Sequence, residues 1–229
     1  MKNFLKKIYL YNVLFKLRKL LRLVYSTKSR SRFFWNLRKG DDILSLDYPL
    51  DKNSVVFIIG AYEGDYLSKL NNKYECKIYA FEPIIESFEI LKNKFQFYEN
   101  IKLYNFGLSD ITEEVYFSKS GESSSLYREG SYKVNVLLKS FKDFLDESKI
   151  ENIDLIYINI EGGEYRLLDS AIKNNLLLKV IHLQVQYHLI NKSSRLERKL
   201  INKKLRVTHK RQFNFPFIWE RWDIKNKKD

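Results

Sequence analysis

A chain of 229 residues with 45% hydrophobic and 15% aromatic content is long enough to bury a full core, and its formal net charge of +13 asks for an acidic or anionic counterpart. No uncharged apolar run reaches about 18 residues, which excludes a membrane-spanning helix, and Ile8–Phe15 is short for a secretory leader with no small-residue cleavage site after it. Cys76 is the single cysteine, which excludes an internal disulfide and a cysteine-based zinc site and makes the cytoplasm the expected location.

The charge is concentrated at the start of the chain. Residues 1–40 contain twelve Lys or Arg and no Asp or Glu, and the remaining 29 basic and 28 acidic residues leave a net of only +1. Phe4, Ile8, Tyr11 and Phe15 recur at helical spacing, as do Leu10, Leu14, Leu17, Leu21 and Val24, so residues 1–40 read as a basic amphipathic helical segment before a domain spanning 41–229. Its apolar stripe either packs on that domain or lies on an anionic membrane, which would make the protein peripheral at the inner membrane face. Nucleic acid is not expected, because basic and aromatic residues do not interleave as in a single-strand groove.

From residue 53 the pattern alternates strand and helix. Val55–Ile59 is a buried strand that breaks into Gly60-Ala61-Tyr62-Glu63-Gly64, and a helix starts at Asp65. "KIYAFE" (77–82) is the second strand, 84–95 a helix, 101–106 the third strand. Two short strands, "EEVYFS" and "YKVNVLL", flank the polar loop "GESSSLYREG", and a helix follows from about Ser140. "IDLIYINI" (153–160), a helix over 164–174 and "KVIHLQVQY" (179–187) continue the alternation. The tail reads as a hairpin of "LRVTHKRQF" and "PFIWERWDI". An α/β fold follows, with a mostly parallel sheet, helices on both faces and a C-terminal antiparallel hairpin. That is the outline of the Rossmann-like methyltransferase fold.

In such a sheet the ligand lies outside the carboxyl ends of the central strands. The glycine turn is placed there, where the first helical N–H groups favour an anion or nucleotide-like ligand. Glu82 ends the second strand 22 residues beyond Gly60, a separation at which an acidic residue takes ribose hydroxyls. The G-x-x-x-G spacing lacks the pyrophosphate fingerprint, so an adenosine ligand without pyrophosphate is favoured, S-adenosylmethionine above all.

"VVFIIGAYEGDYL", "YAFEPIIESFEIL", "LYNFGLSD" and "IDLIYINIEGGEYRLL" resemble, in order and spacing, the motifs of FkbM-type S-adenosylmethionine-dependent methyltransferases, over about residues 53–190. The resemblance implies O-methyl transfer to a hydroxyl of a saccharide or glycan precursor. It also implies that Gly60, Ala61, Tyr62, Glu63 and Gly64 approach the methionine part, Glu82 the ribose, and Ser109 and Asp110 the adenine. The chain departs from the family at Ile58 and Asn159, where an Asp is common, and at Tyr157, where a Lys is common. These departures support a second reading, a methyltransferase-like scaffold without turnover that associates with membranes or glycans.

Methyl transfer to a hydroxyl needs alignment and a general base. His188, at the carboxyl end of its strand and with an ordinary pKa suited to the task, is the first candidate, and Glu161 the second. Gln186, Ser124, Ser125 and Glu164 are expected acceptor contacts, whereas His182 and Gln184, deeper in the strand, are expected to be structural. Glu161 and Glu164 are not expected to hold a metal. The basic cluster Lys203, Lys204, Arg206, Lys210 and Arg211 reads as a solvated face or a contact to an acceptor phosphate.

Overall fold

The computed structural model describes Tyr11, Phe15, Arg18, Leu21 and residues 23–120, 123–125 and 132–225. A seven-stranded sheet runs in the order β10-β11-β9-β8-β1-β2-β3, built from β1 (Val55–Ile59), β2 (Lys77–Phe81), β3 (Ile101–Tyr104), β8 (Ile153–Ile158), β9 (Val180–Val185), β10 (His209–Phe215) and β11 (Trp219–Ile224). Strands β1, β2, β3, β8 and β9 are parallel, while β11 pairs antiparallel with both β9 and β10. The expected parallel sheet with a terminal hairpin is therefore the fold.

The period-two alternation of β1 explains why helices cover both faces. Phe57 and Ile59 face one core with Phe141, Phe144, Leu168, Ile201 and Leu205, supplied by α4 (Phe141–Ser148), α5 (Glu164–Lys173) and α6 (Ser194–Thr208). Val56 and Ile58 face the other core with Trp35, Leu67, Leu70 and Leu91, supplied by α1 (Thr27–Leu37), α2 (Asp65–Tyr74) and α3 (Ile85–Phe95). Ser140 caps α4 by accepting from the Asp143 N–H at 3.2 Å, a start the sequence placed correctly.

A smaller sheet, β4-β7-β5-β6, is made of β4 (Gly107–Ser109), β5 (Glu113–Ser120), β6 (Ser123–Ser125) and β7 (Tyr132–Ser140). Ser123–Ser125, expected within a polar loop over the site, form a strand paired with Ser118–Ser120. The remainder of that expected loop lies outside the described residues.

Two boundaries differ from the sequence reading. Residues 205–208, expected in the hairpin, belong to α6, because Ile201 and Leu205 form a helical stripe that buries against the core. Of the apolar stripe expected to pack in the N-terminal segment, Tyr11, Phe15, Leu21 and Val24 are helical but exposed. Phe4, Ile8, Leu10, Leu14 and Leu17 lie outside the described residues. The contact with the core comes from α1 instead. Trp35 is fully buried among Phe213, Phe215 and Trp219, and its indole N–H donates to Asp41 at 2.8 Å. Gly40 is required beside it, since a Cβ there would lie 2.1 Å from the indole ring.

Candidate active site

The strand order reverses at β1, where the chain moves from β3 back across to β8, so the crevice lies at the carboxyl ends of β1 and β8. Gly60, Glu82, Asn159, Glu161 and His188 all follow the carboxyl ends of neighbouring parallel strands. At this edge the backbone is unusually constrained. Gly60, Tyr62, Gly64, Glu161 and Gly162 have positive φ, and two of these, Tyr62 (50°) and Glu161 (48°), are not glycines.

The glycines of the first turn serve the chain itself. Gly60 has φ of 84°, and a Cβ on it would stand 2.0 Å from the carbonyl oxygen of Asn159, so β1 and β8 close on each other only without a side chain here. Gly64 lies against Leu91 and Phe95 of α3. Close backbone approach to a ligand is therefore not what requires either glycine.

Glu82 is buried and ties this turn to the start of α3. Its Oε2 accepts from the Tyr62 N–H at 2.8 Å and its Oε1 from the Ile84 N–H at 2.9 Å. Burial pushes its carboxyl above the usual range, with the two backbone N–H groups opposing. Each oxygen retains a further lone pair for a hydroxyl donor. Asn159 Oδ1 is buried without a hydrogen-bond partner among the described residues. A ligand with hydroxyl and ammonium donors would satisfy it. Ile58, in contrast, is buried in the apolar core beside α2 and Tyr157, where a carboxylate would have no partner.

The β8–β9 side is densely charged. His188 is buried between two carboxylates, with Nε2 3.4 Å from Glu161 Oε1 and Nδ1 3.3 Å from Glu164 Oε1. Glu164 also accepts from the backbone N–H of His188 at 2.5 Å and of Gly162 at 2.8 Å, and the Tyr165 hydroxyl donates to the His188 carbonyl at 2.7 Å. Burial pushes the His188 pKa down, but Glu161 and Glu164 outweigh it and leave it raised to about 9. A raised pKa favours the imidazolium form of His188, and in that form the ring has no free lone pair with which to act as the expected general base. Glu161 is the least buried member of the trio, with 29% of its side chain exposed against 5% for His188 and none for Glu164, although its Oε2 is itself buried.

The other expected residues are engaged in contacts within the chain. Gln186 continues β9 by donating its N–H to the Ile158 carbonyl at 3.0 Å. Ser109 donates to Asp110 at 2.9 Å, and Asp110 pairs with Arg166 at 2.8 Å, which also binds Glu113 at 2.8 Å. Burial raises the Asp110 carboxyl, yet Ser109 and Arg166 outweigh it and hold it below the usual range. Arg166 is a component the sequence reading missed; only the folded register brings α5 to β4 and β5. Ala61 donates to the Phe81 carbonyl at 3.1 Å, and Lys94 of α3 donates to the Glu63 carbonyl at 2.7 Å. Ser124 and Ser125 sit in β6, away from the expected loop position. His182 pairs with Asp223 at 2.8 Å, and the Tyr48 hydroxyl donates to Gln184, so both are structural as expected.

This fold and this edge define a Rossmann-like methyltransferase. The sequence pattern of the methyltransferase FkbM domain matches residues 59–214, more than half of the chain, and the chain belongs to that family, whose cofactor is S-adenosylmethionine. Comparison with curated proteins gives no match. Among solved structures, the Methanococcus jannaschii fibrillarin pre-rRNA processing protein is 15% identical, with a TM-score of 0.52 over 83% of this chain and 75% of that one. An rRNA methylase from Streptococcus thermophilus is 14% identical (TM-score 0.47, 83% of this chain, 96% of that one). Aeropyrum pernix fibrillarin with natively bound S-adenosyl-L-methionine is 9% identical (TM-score 0.45, 82% and 74%). The likeness to the Methanococcus jannaschii protein shows the fold.

The expected partners are corrected by the same comparisons. A saccharide or glycan acceptor and an anionic membrane surface at residues 1–38 were expected, with nucleic acid excluded. The fold is shared with a fibrillarin described as a pre-rRNA processing protein, so the fold does not close the chain to nucleic acid, and a saccharide acceptor is not shown. Among the described residues no helix is long and apolar enough to cross a membrane, and no cluster of three or more candidate metal ligands occurs.

Proposed function

We propose that this chain methylates a hydroxyl oxygen of its acceptor, with Glu161 receiving the hydroxyl proton and His188 acting as a cationic positioning residue. The observation that carries this reading is the buried His188 held between Glu161 and Glu164 at the crevice. Bound S-adenosylmethionine supplies an activated methyl group on a sulfonium. The residues fitted to hold it are the turn Gly60–Gly64, Glu82 toward hydroxyls and Asn159 Oδ1 toward a donor. On this reading Ser109 and Asp110 would border the cofactor, and Gln186 and Glu161 would face the acceptor.

Proton balance follows from the trio. The acceptor O–H would give its proton to the Glu161 carboxylate as its oxygen bonds the methyl carbon, while the methyl–sulfur bond would break with its electron pair going to sulfur, leaving a neutral thioether. His188, already protonated, cannot compete for that proton. Its imidazolium fixes the Glu161 carboxylate and stays neutralised by Glu164 throughout, so no buried charge is stranded. Glu164 bonds two backbone N–H groups and fixes the left-handed Glu161–Gly162 corner.

The scaffold reading remains the runner-up, favoured by Ile58, whose burial removes the carboxylate common in the family from this site. Calorimetric titration with S-adenosylhomocysteine separates the two. Binding, with tritiated methyl transfer into cell extract that Glu161→Gln abolishes while binding persists, supports the enzyme. Absence of binding at millimolar ligand would leave the scaffold.

A further inference from the structure

Outside the crevice, α6 and β10 enclose a groove of about 570 Å³ lined by Leu196, Arg198, Lys199, Lys203, Arg206 and Arg211 among others. Residues 194–211 contain eight Lys or Arg and one acidic residue. The cations are not equivalent. Arg198 pairs with the buried Glu220 and donates to Asn214 at 2.7 Å, and Arg211 lies 5.4 Å over the Trp222 ring. These two build the floor. Lys199, Lys203 and Arg206 are exposed and make no ion pair among the described residues.

Positions 199, 203 and 206 follow one another on successive turns, about 4.5–6 Å apart along the helix axis. A single phosphate would ask for converging cations. A row of unpaired cations along an open groove matches instead a chain of phosphates. Leu196 and Leu200, 58% and 50% exposed, offer apolar surface in the same groove for ribose and base edges. A membrane would ask for a protruding face, whereas these cations line a concavity.

We propose that the α6–β10 groove binds the phosphate backbone of single-stranded nucleic acid, with Lys199, Lys203 and Arg206 as the contacts. The site is independent of the crevice chemistry, so a protein that binds RNA but transfers no methyl group keeps this inference and loses the preceding one.

The test is fluorescence anisotropy of the full chain with a labelled oligouridylate of about 12 nucleotides, titrated between about 50 and 200 mM salt. Lys199→Ala/Lys203→Ala should weaken binding about tenfold and lower the slope of log K against log salt by about 1.4, at about 0.7 per lost phosphate contact on a single strand. Lys52→Ala/Lys77→Ala, an equal loss of exposed charge at the amino ends of β1 and β2, should leave affinity within about twofold if contact rather than net charge decides. Equal losses in both pairs, wild-type binding by the groove variant, or binding to phosphatidylserine vesicles without binding to the oligonucleotide would each overturn the proposal.

Discussion

The two sides of the crevice solve different problems. On the β1–β2 side, one buried carboxylate, Glu82, is bonded by backbone N–H groups, and the glycines are fixed by packing. On the β8–β9 side, three titratable groups share one proton-rich network that includes a buried cation. The first side is a rigid frame whose charge is neutralised by the backbone. The second keeps its charge because each member is paired. The contrast teaches that strand-end position alone nominates a candidate site residue but not its protonation state.

The largest effects should come from violating the apolar or paired character of each side. Ile58→Asp, which would restore a residue common in the family, should lower unfolding free energy in urea by about 3–5 kcal/mol, because it buries an unpaired charge between α2 and β8. It should not improve S-adenosylhomocysteine binding; a gain in affinity would show that the crevice reaches this side chain. Glu164→Ala should cost a similar amount, about 3–5 kcal/mol, since it removes one of the two carboxylates beside the buried His188 and the acceptor of two backbone N–H groups.

A second measurement follows the sign of the His188 shift. Its folded pKa of about 9 lies above the unfolded value, so the folded state binds more protons between roughly pH 6.5 and 9. Stability from this network is fully present below about pH 6.5 and falls as pH rises through about 9, by on the order of 3 kcal/mol. The difference between wild-type and His188→Asn melting curves across that window isolates it, and a flat difference would remove the cation. Turnover should fall over the same range; a rise through pH 9 would return the base role to His188.

Smaller effects sharpen the frame side. Glu82→Ala should weaken S-adenosylhomocysteine by about 1.5–3 kcal/mol by calorimetry. Arg166→Met should cost at most about 1 kcal/mol in urea unfolding, because Arg166 and Asp110 are each about a third exposed. An affinity loss as large as that of Glu82→Ala would instead place the Asp110 corner in contact with the ligand.

Most of the frame was legible before folding. Alternating strand and helix periods, the turn at Gly60–Gly64 and the 22-residue interval to Glu82 depend on local spacing, which a sequence displays directly. The α6 helix was misread because Leu205, Val207 and Phe213 also satisfy period two, and only the burial of Ile201 and Leu205 selects the helical alternative. Arg166 at Asp110 and Asn202 at Glu220 join residues far apart in the chain, and no local pattern announces them.

The sequence by itself determined the sheet, its hairpin and the strand ends that form the candidate site, because these follow from periodicity and chain order. Tertiary structure alone decided the electrostatics. Whether His188 is base or cation, whether position 58 meets a ligand or a core, and which lysines of α6 stay unpaired depend on desolvation and on charges within a few ångströms, and those neighbours come from separate segments that only the packed fold brings together.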